Sequence, residues 1–174
     1  MSKSHKVTVQ KQFAKTADAF TAFAVRDTPE MLAEKLEFVK PQHGDLSLDV
    51  ACGPGAFVLA LAPRVHFARG LDLTEELLRR ARQLQLERNI PNAAFDRGEA
   101  EQLPYPDAVF DLVTCQCALH HMLKPAVALR ELVRVMKPGC RLAVLLTLSA
   151  RKAIRNSICT TLLKRLAIRP IRSH

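Results

Sequence analysis

Apolar runs alternate with amphipathic stretches along the middle of the chain. The short continuous apolar runs, which predict buried β-strands, lie at residues 46–51, 65–71, 93–96, 109–115 and 141–148. Between them, apolar residues recur at helical spacing and predict helices at residues 56–63, 75–88 and from Pro125 onward. Thr74 is the expected N-cap of the second of these helices. Strands and helices in this alternation are typical of a parallel sheet covered on both faces.

Two further stretches flank this core. Before it, Phe13, Ala17, Phe20 and Ala24 follow helical spacing, and Thr28-Pro29 predicts the cap and first residue of another helix. The N-terminal stripe fits either a helix packed on the body or a lid over a cofactor. The expected organisation is therefore N-terminal helices over residues 1–44, a core over 45–148 and a tail over 149–174.

Charge separates this tail from the rest of the chain. The net charge is +9, and residues 151–174 hold seven Lys and Arg and no acid. The basic balance thus belongs to the tail, and no nucleic-acid partner is expected for the core. An apolar stripe in the tail fits a covering helix with a solvated basic side. A less favoured alternative is a helix that contacts a membrane surface weakly or binds phosphate.

Length and composition predict one soluble globular domain. The chain has 174 residues, of which 48% are hydrophobic and 25% charged. The apolar run at residues 142–148 is too short to span a bilayer, and the N-terminus shows no secretory signal. The five cysteines are odd in number, which favours reduced thiols. We therefore expect a cytoplasmic protein.

The turn at residues 51–55 is the first candidate for chemistry. Asp49 lies inside the first apolar strand, Gly53 and Gly55 follow it, and the next strand ends at Asp72. A strand, a glycine turn and a helix form a nucleotide site in α/β sheets, because glycine lets the backbone approach the ligand. The buried Asp49 needs a partner, for which we expect turn N–H groups or a ligand amine. Asp72 is placed to accept hydrogen bonds from two ribose hydroxyls.

A second block identifies the cofactor class by resemblance. Residues 96–113 read DRGEAEQLPYPDAVFDLV, and Leu119-His120-His121 and Lys137-Pro138-Gly139 follow. Together with the turn, these segments resemble class I S-adenosylmethionine-dependent methyltransferases, in the branch of the ubiquinone and menaquinone C-methyltransferases. Ala51 stands where the usual Asp-x-Gly-x-Gly-x-Gly motif has its first glycine. The resemblance implies S-adenosylmethionine as cofactor, S-adenosylhomocysteine as product and a small-molecule methyl acceptor.

The resemblance also assigns roles in cofactor binding. Glu99, in place of the family's usual Asp, would accept from the adenine amine, and the Ala100 N–H would donate to the adenine ring. Leu73 would pack on the adenine face. Asp49 would orient the turn or meet the ammonium, whose carbonyl partner would be Cys115 or Gln116. The turn backbone from Ala51 through Gly53 and Gly55 would approach the methionine part.

His120 and His121 are the candidate catalytic residues. Either could face the acceptor as a base or an orienting group, and either could equally be a structural histidine bonded to backbone. Cys115, Cys117 and the two histidines have poor spacing for one tetrahedral zinc site, so no metal is predicted.

These observations predict a doubly wound, mostly parallel sheet of order 3-2-1-4-5 in a methyltransferase fold. No room is apparent after Leu148 for the antiparallel hairpin that the family adds beside strand five. We therefore expect strand five to be an edge through which two copies could pair, with Arg141 as its one protecting charge. The alternatives are a non-catalytic S-adenosylmethionine-binding module and, less favoured by Asp49 and Val58, an NAD(P)-dependent oxidoreductase.

Overall fold

The computed structural model describes residues 27–145, which form one five-stranded sheet. The strands run in the order β3-β2-β1-β4-β5, and every neighbouring pair is parallel. Their bounds are β1 Leu46–Val50, β2 Phe67–Asp72, β3 Ala93–Arg97, β4 Phe110–Gln116 and β5 Met136–Leu145. This order confirms the predicted doubly wound fold. The N-terminal apolar stripe and the basic tail lie outside the described residues.

Four helices cover the two faces of the sheet. They are α1 Pro29–Val39, α2 Ala56–Leu61, α3 Glu75–Glu87 and α4 Pro125–Val135. Helices α1, α2 and α3 bury their apolar residues against one face, and α4 packs on the other beside the segment at residues 99–109. None of the helices between residues 27 and 145 has the length and apolarity to cross a membrane.

Two predicted helix caps have different outcomes. The Thr28 hydroxyl oxygen accepts the Met31 N–H at 3.3 Å, and Pro29 is the first residue of α1, as predicted. Thr74 is the N-cap residue of α3, as predicted, but its side chain makes no capping hydrogen bond to the helix. The carboxylate of Asp72 accepts the Thr74 N–H instead, at 2.9 Å.

The junction between α4 and β5 also differs from the prediction. Strand β5 begins at Met136, directly after α4 and ahead of the predicted run at residues 141–148. Pro138 and Gly139 lie within it, beside a register shift against β4. Lys137 anchors this irregular part, because its Nζ lies 2.8 Å from Asp111 Oδ1. The buried residues of α4 are Ala128, Leu132 and Val135.

Strand β5 is an edge of the sheet that the structure describes. No antiparallel hairpin lies beside it within residues 27–145. Arg141, expected to protect this edge with its charge, points into the protein instead. Its guanidinium donates to the Lys40 carbonyl and pairs with the buried carboxylate of Asp45. Pairing of two copies through β5 stays a prediction.

We expect Arg141→Met to lower the free energy of unfolding by about 2–3 kcal/mol, because it leaves the Asp45 carboxylate buried without its cation. Urea denaturation measures this. Arg64→Met is the matched control: Arg64 and its partner Glu37 are both exposed, and the change should cost less than about 0.5 kcal/mol. Equal costs for the two variants would show that the Asp45 pair is not anchoring β5.

Candidate functional site

The candidate site lies at the carboxyl edge of β1. From β1 the chain proceeds to β2 and β3 on one side, and β4 and β5 lie on the other. Ligands of doubly wound sheets bind in the crevice where the strand order reverses in this way. Residues 51–55 follow β1, Asp72 ends β2 and Gln116 ends β4, so the topology brings these predicted residues to one edge.

The turn after β1 is built from three residues in the left-handed region. Ala51, Gly53 and Gly55 have φ values of 60°, 55° and 79°. A non-glycine residue in this region costs about 1–2 kcal/mol, so Ala51 carries strain that the family's usual glycine would not. The turn closes on itself through a hydrogen bond from the Gly55 N–H to the Cys52 carbonyl, at 3.1 Å.

The two glycines of the turn are required for different reasons. A Cβ on Gly55 would lie 2.6 Å from Phe95 Cε1 and 2.9 Å from the Ala81 side chain, so core packing excludes it. A Cβ on Gly53 would have nothing within 4 Å. We expected both glycines to be needed because a Cβ would block a ligand. At Gly55, however, a Cβ is excluded by the contact with Phe95. At Gly53 the space is open, as close approach of a ligand requires.

Asp72 holds the turn in place. Its Oδ2 accepts the Gly53 N–H at 2.8 Å, and its Oδ1 accepts the Thr74 N–H. Burial raises the pKa of Asp72, and these backbone hydrogen bonds oppose the rise. A carboxylate offers about four lone-pair sites, and the Thr74 side chain and the Leu73 backbone also hydrogen-bond to this one. Ribose hydroxyls, which the sequence assigned to Asp72, would share the carboxylate with these donors.

Asp49 has other partners than expected. The turn N–H groups that we assigned to Asp49 bond elsewhere, and its Oδ1 accepts the Thr114 hydroxyl at 2.6 Å. The Gln116 amide lies 3.5 Å from both of its oxygens. The reason is the register: Asp49 on β1 is paired with Thr114 on β4, which brings the two side chains together. Burial raises the pKa of Asp49 to about 7.

The segment that carries Glu99 and Ala100 is fixed from two sides. The Gly98 N–H donates to the Asp72 carbonyl at 3.0 Å, which joins the end of β3 to the end of β2. From α4, Arg134 donates to the Tyr105 carbonyl at 2.8 Å, and Glu131 accepts the Leu103 N–H at 2.8 Å. Glu99 and Ala100 are half-buried between these anchors, at the same edge as Asp72.

The remaining candidates follow β4. Cys115 is buried within the strand and Gln116 is half-buried at its end. His120 and His121 are exposed in a short 3₁₀ turn, with ring centroids 4.0 Å apart. Burial and the neighbouring His120 lower the pKa of His121. Within residues 27–145, no group of three or more His, Cys, Asp or Glu side chains could hold a metal ion.

A family model described as a methyltransferase domain matches residues 48–144, which include the turn, Asp72, the 96–113 segment and most of β5. This match covers more than half of the chain. The chain belongs to the class I S-adenosylmethionine-dependent methyltransferases.

Individual relatives agree with this family. The chain is 33% identical over 135 residues to the uncharacterized methyltransferase YcgJ of Bacillus subtilis, over 78% of this chain and 53% of YcgJ. It is 35% identical over 114 residues to demethylmenaquinone methyltransferase of Listeria monocytogenes, over 63% of this chain and 48% of that enzyme. The chain thus spans about half the length of the curated relatives it matches.

Solved structures of the methyltransferase fold superpose on the described residues. The YcgJ crystal structure aligns with a TM-score of 0.65 at 33% identity, over 67% of this chain and 50% of that one. The [4+2]-cyclase SpnF aligns with a TM-score of 0.62 at 30% identity, over 67% of this chain and 44% of SpnF.

Some residues of this methyltransferase site have no signal in the motif. Phe95 packs beneath the turn, where a Cβ on Gly55 or Gly70 would meet it within 2.8 Å. Thr114 is the partner of Asp49, and it could have been found as a polar residue inside an apolar strand. Lys35 and Asp27, which pair near Asp49, come from α1 and the residues before it, outside the family match.

Gly55→Ala and Gly53→Ala should separate packing from ligand approach. We expect Gly55→Ala to lower the free energy of unfolding by about 2–4 kcal/mol, from the clash with Phe95 and the unfavourable φ. Gly53→Ala should cost only about 1 kcal/mol, from φ alone, yet weaken S-adenosylhomocysteine binding. Urea unfolding and calorimetry measure these effects. A Gly53→Ala variant that binds as the parent does would place the ligand away from Gly53.

Asp49→Asn should change the pH dependence of stability. Because the pKa of Asp49 rises from 3.8 to about 7 on folding, the folded state holds a proton that the unfolded state lacks between these values. The parent therefore loses stability as pH rises through this window. The free energy of unfolding of the variant, relative to that of the parent, should rise by up to about 4 kcal/mol over the same window. Urea unfolding of the cofactor-free protein from pH 4 to 8 measures the difference.

Asp111→Asn is the control with the opposite sign. Against the effect of burial, hydrogen bonds from Lys137 and the Leu46 N–H hold the pKa of Asp111 below its usual value. This variant should therefore lose stability relative to the parent as pH rises through the ordinary carboxyl range. A constant difference between Asp49→Asn and the parent from pH 4 to 8 would mean that Asp49 stays ionised in the fold.

Proposed function

We propose that this protein binds S-adenosylmethionine and transfers its methyl group to a small-molecule acceptor. The observation that carries the proposal is the Asp72 carboxylate, which is 8% exposed at the switch point and fixes the turn after β1 and the start of α3 there. The open space at Gly53 and the anchored position of Glu99 and Ala100 support the same ligand. The Listeria relative is a demethylmenaquinone methyltransferase, which supports an acceptor of small-molecule size.

The bound cofactor would supply a methyl group on a sulfonium, which is electrophilic without any acid from the protein. The protein would then bind the cofactor and the acceptor, orient them for the transfer and exclude water. Asp72 would hold the ribose, Glu99 and the Ala100 N–H would hold the adenine, and Leu73 would pack on it. Asp49 would face the ammonium, together with the backbone at Cys115 or Gln116. The mechanism needs a base only where the acceptor must lose a proton.

His121 is a candidate for this base. Its pKa is lowered by burial and by the neighbouring His120, so the imidazole is neutral and able to accept a proton at neutral pH. The 3₁₀ turn that carries it follows β4 at the same edge as Gln116.

A second candidate function is S-adenosylmethionine binding without methyl transfer. One observation favours it: SpnF, which shares the fold at 30% identity, is named for a cyclisation. Turnover with a panel of acceptors separates the two candidates, because binding alone is common to both. The oxidoreductase alternative is disfavoured by Val58, which fills the position of a third glycine with a fully buried side chain.

The cofactor contact is tested with Asp72→Asn and two ligands. S-Adenosylhomocysteine should bind the parent, and the variant should bind it about 1.5–3 kcal/mol more weakly. The 2′-deoxyribose analogue should bind the parent weakly, and the substitution should reduce its affinity less. The reason is that one hydroxyl that would donate to Asp72 is already absent from this analogue. Calorimetry measures the four affinities, and circular dichroism checks that the variant is folded. No binding by the parent, or tight NADH binding, would overturn the proposed function.

A further inference from the structure

A cavity of about 780 Å³ lies on the face of the sheet that carries α4, beside β1 and β2. Ligand pockets measure about 300–1,000 Å³, so the cavity is of ligand size. Of the described residues that line it, none is a candidate for cofactor binding. The cavity has a simple origin: the structure describes no helix in the connection from β3 to β4, residues 98–109. Phe67 and Arg69 of β2 are consequently only half-buried on this face.

The walls of the cavity are mainly apolar and aromatic. Leu46 and Phe67 begin β1 and β2, and Tyr105, Val109 and Phe110 come from the connection and the start of β4. The rings of Tyr105 and Phe110 meet edge to face, with centroids 5.2 Å apart. The Tyr105 backbone is also held by α4 through its carbonyl. Fixed rings of this kind suit the body of a flat, apolar ligand.

Arg69 presents its guanidinium to this cavity in a fixed orientation. Arg69 and Phe67 lie two residues apart on β2 and therefore face the same side of the sheet. Arg69 Cζ lies 5.5 Å from the ring centroid of Phe67 and 5.9 Å from that of Tyr105. Its Nη1 donates to Asp96, and the Tyr105 hydroxyl interacts with the same guanidinium. Since a guanidinium carries five N–H donors in a planar fork, this arrangement suits a bidentate contact with a ligand carboxylate.

The charges around the cavity favour an anion with a single charge. Arg69 and the exposed His66 and Arg97 are its basic lining residues, and Asp96 is the one carboxylate among the described residues that line it. Burial and the Asp96 charge raise the pKa of Tyr105, so its phenol stays neutral and donates to Asp96 at 2.9 Å. Because Asp96 offsets part of the Arg69 charge and repels anions, a phosphate dianion would bind less well than a carboxylate.

We propose that this cavity is a second binding site, for a small, flat aromatic molecule that carries one carboxylate. The aromatic body would lie against Phe67 and Tyr105, and the carboxylate would accept hydrogen bonds from Arg69. Asp96 would position Arg69 for this contact. The inference does not rest on the proposed function, because the candidate cofactor residues lie outside the cavity.

Three flat carboxylates, benzoate, cinnamate and 2-naphthoate, test the site, each beside its neutral amide. We expect the full chain to bind at least one acid with a dissociation constant of about 1 mM or below, and to bind its amide more weakly. Arg69→Met should weaken the acid about 10-fold or more and change the amide less than about 2-fold. Arg79→Met is the matched control, because Arg79 pairs with Glu76 on α3, outside the cavity, and both affinities should stay unchanged. Calorimetry measures the affinities, and circular dichroism checks the fold.

Several outcomes would overturn the proposal. These are no detectable binding of the three acids by the parent, equal affinity for an acid and its amide, and equal weakening of both by Arg69→Met. Displacement of the acid by S-adenosylhomocysteine would place it in the cofactor site instead. A dimer in light scattering that Arg69→Met breaks would make a second copy of the chain the occupant. If Arg69→Met does not fold, Arg69→Lys replaces it, which keeps the charge beside Asp96 without the planar fork. An unchanged ratio of the two affinities in that variant would contradict the role of Arg69.

Discussion

The hydrogen bond from the Gly53 N–H to Asp72 is the contact on which the candidate site depends. It joins the turn after β1 to the end of β2, and the second oxygen of the same carboxylate holds the start of α3 through Thr74. One buried carboxylate thus fixes the loops that follow two adjacent strands. A backbone bond from Gly98 to the Asp72 carbonyl extends the connection to the end of β3. The loops at this edge form one connected unit in which each candidate contact has a defined place.

Packing beneath the turn imposes a second constraint. Phe95 occupies the space into which a side chain at Gly55 or Gly70 would extend, so the aromatic ring and the two glycines are possible only together. This brings the turn down onto the sheet and leaves its open side at Gly53. The strain at Ala51, with φ of 60°, is held by the same surroundings. The turn therefore owes its shape as much to the core as to its own sequence.

Charge at the site is arranged in two carboxylates with different roles. Asp72 bonds backbone N–H groups, whereas Asp49 meets a hydroxyl and an amide, and burial raises its pKa to about 7. The resemblance assigned both to cofactor binding, and spacing alone could not say which would bond the turn, because each lies next to it. The sheet register decides which carboxylate bonds the turn. Asp49 on β1 is paired with Thr114 on β4, whereas Asp72, at the end of β2, lies beside Gly53.

The alternation of apolar runs and amphipathic stretches was enough to predict a parallel sheet and most of its helices, because periodicity reports directly which residues must be buried. The strand order was implied by the resemblance to the methyltransferases. The sequence also determined where the candidate residues lie, since parallel strands bring their carboxyl ends to one edge. Only the tertiary structure decided the contacts that join distant segments. The Asp45–Arg141 pair and the continuous passage from α4 into β5 depend on distances that local pattern does not contain. The same is true of Phe95 beneath the turn and of Lys35 beside Asp27, because a packing contact is set by how whole elements meet.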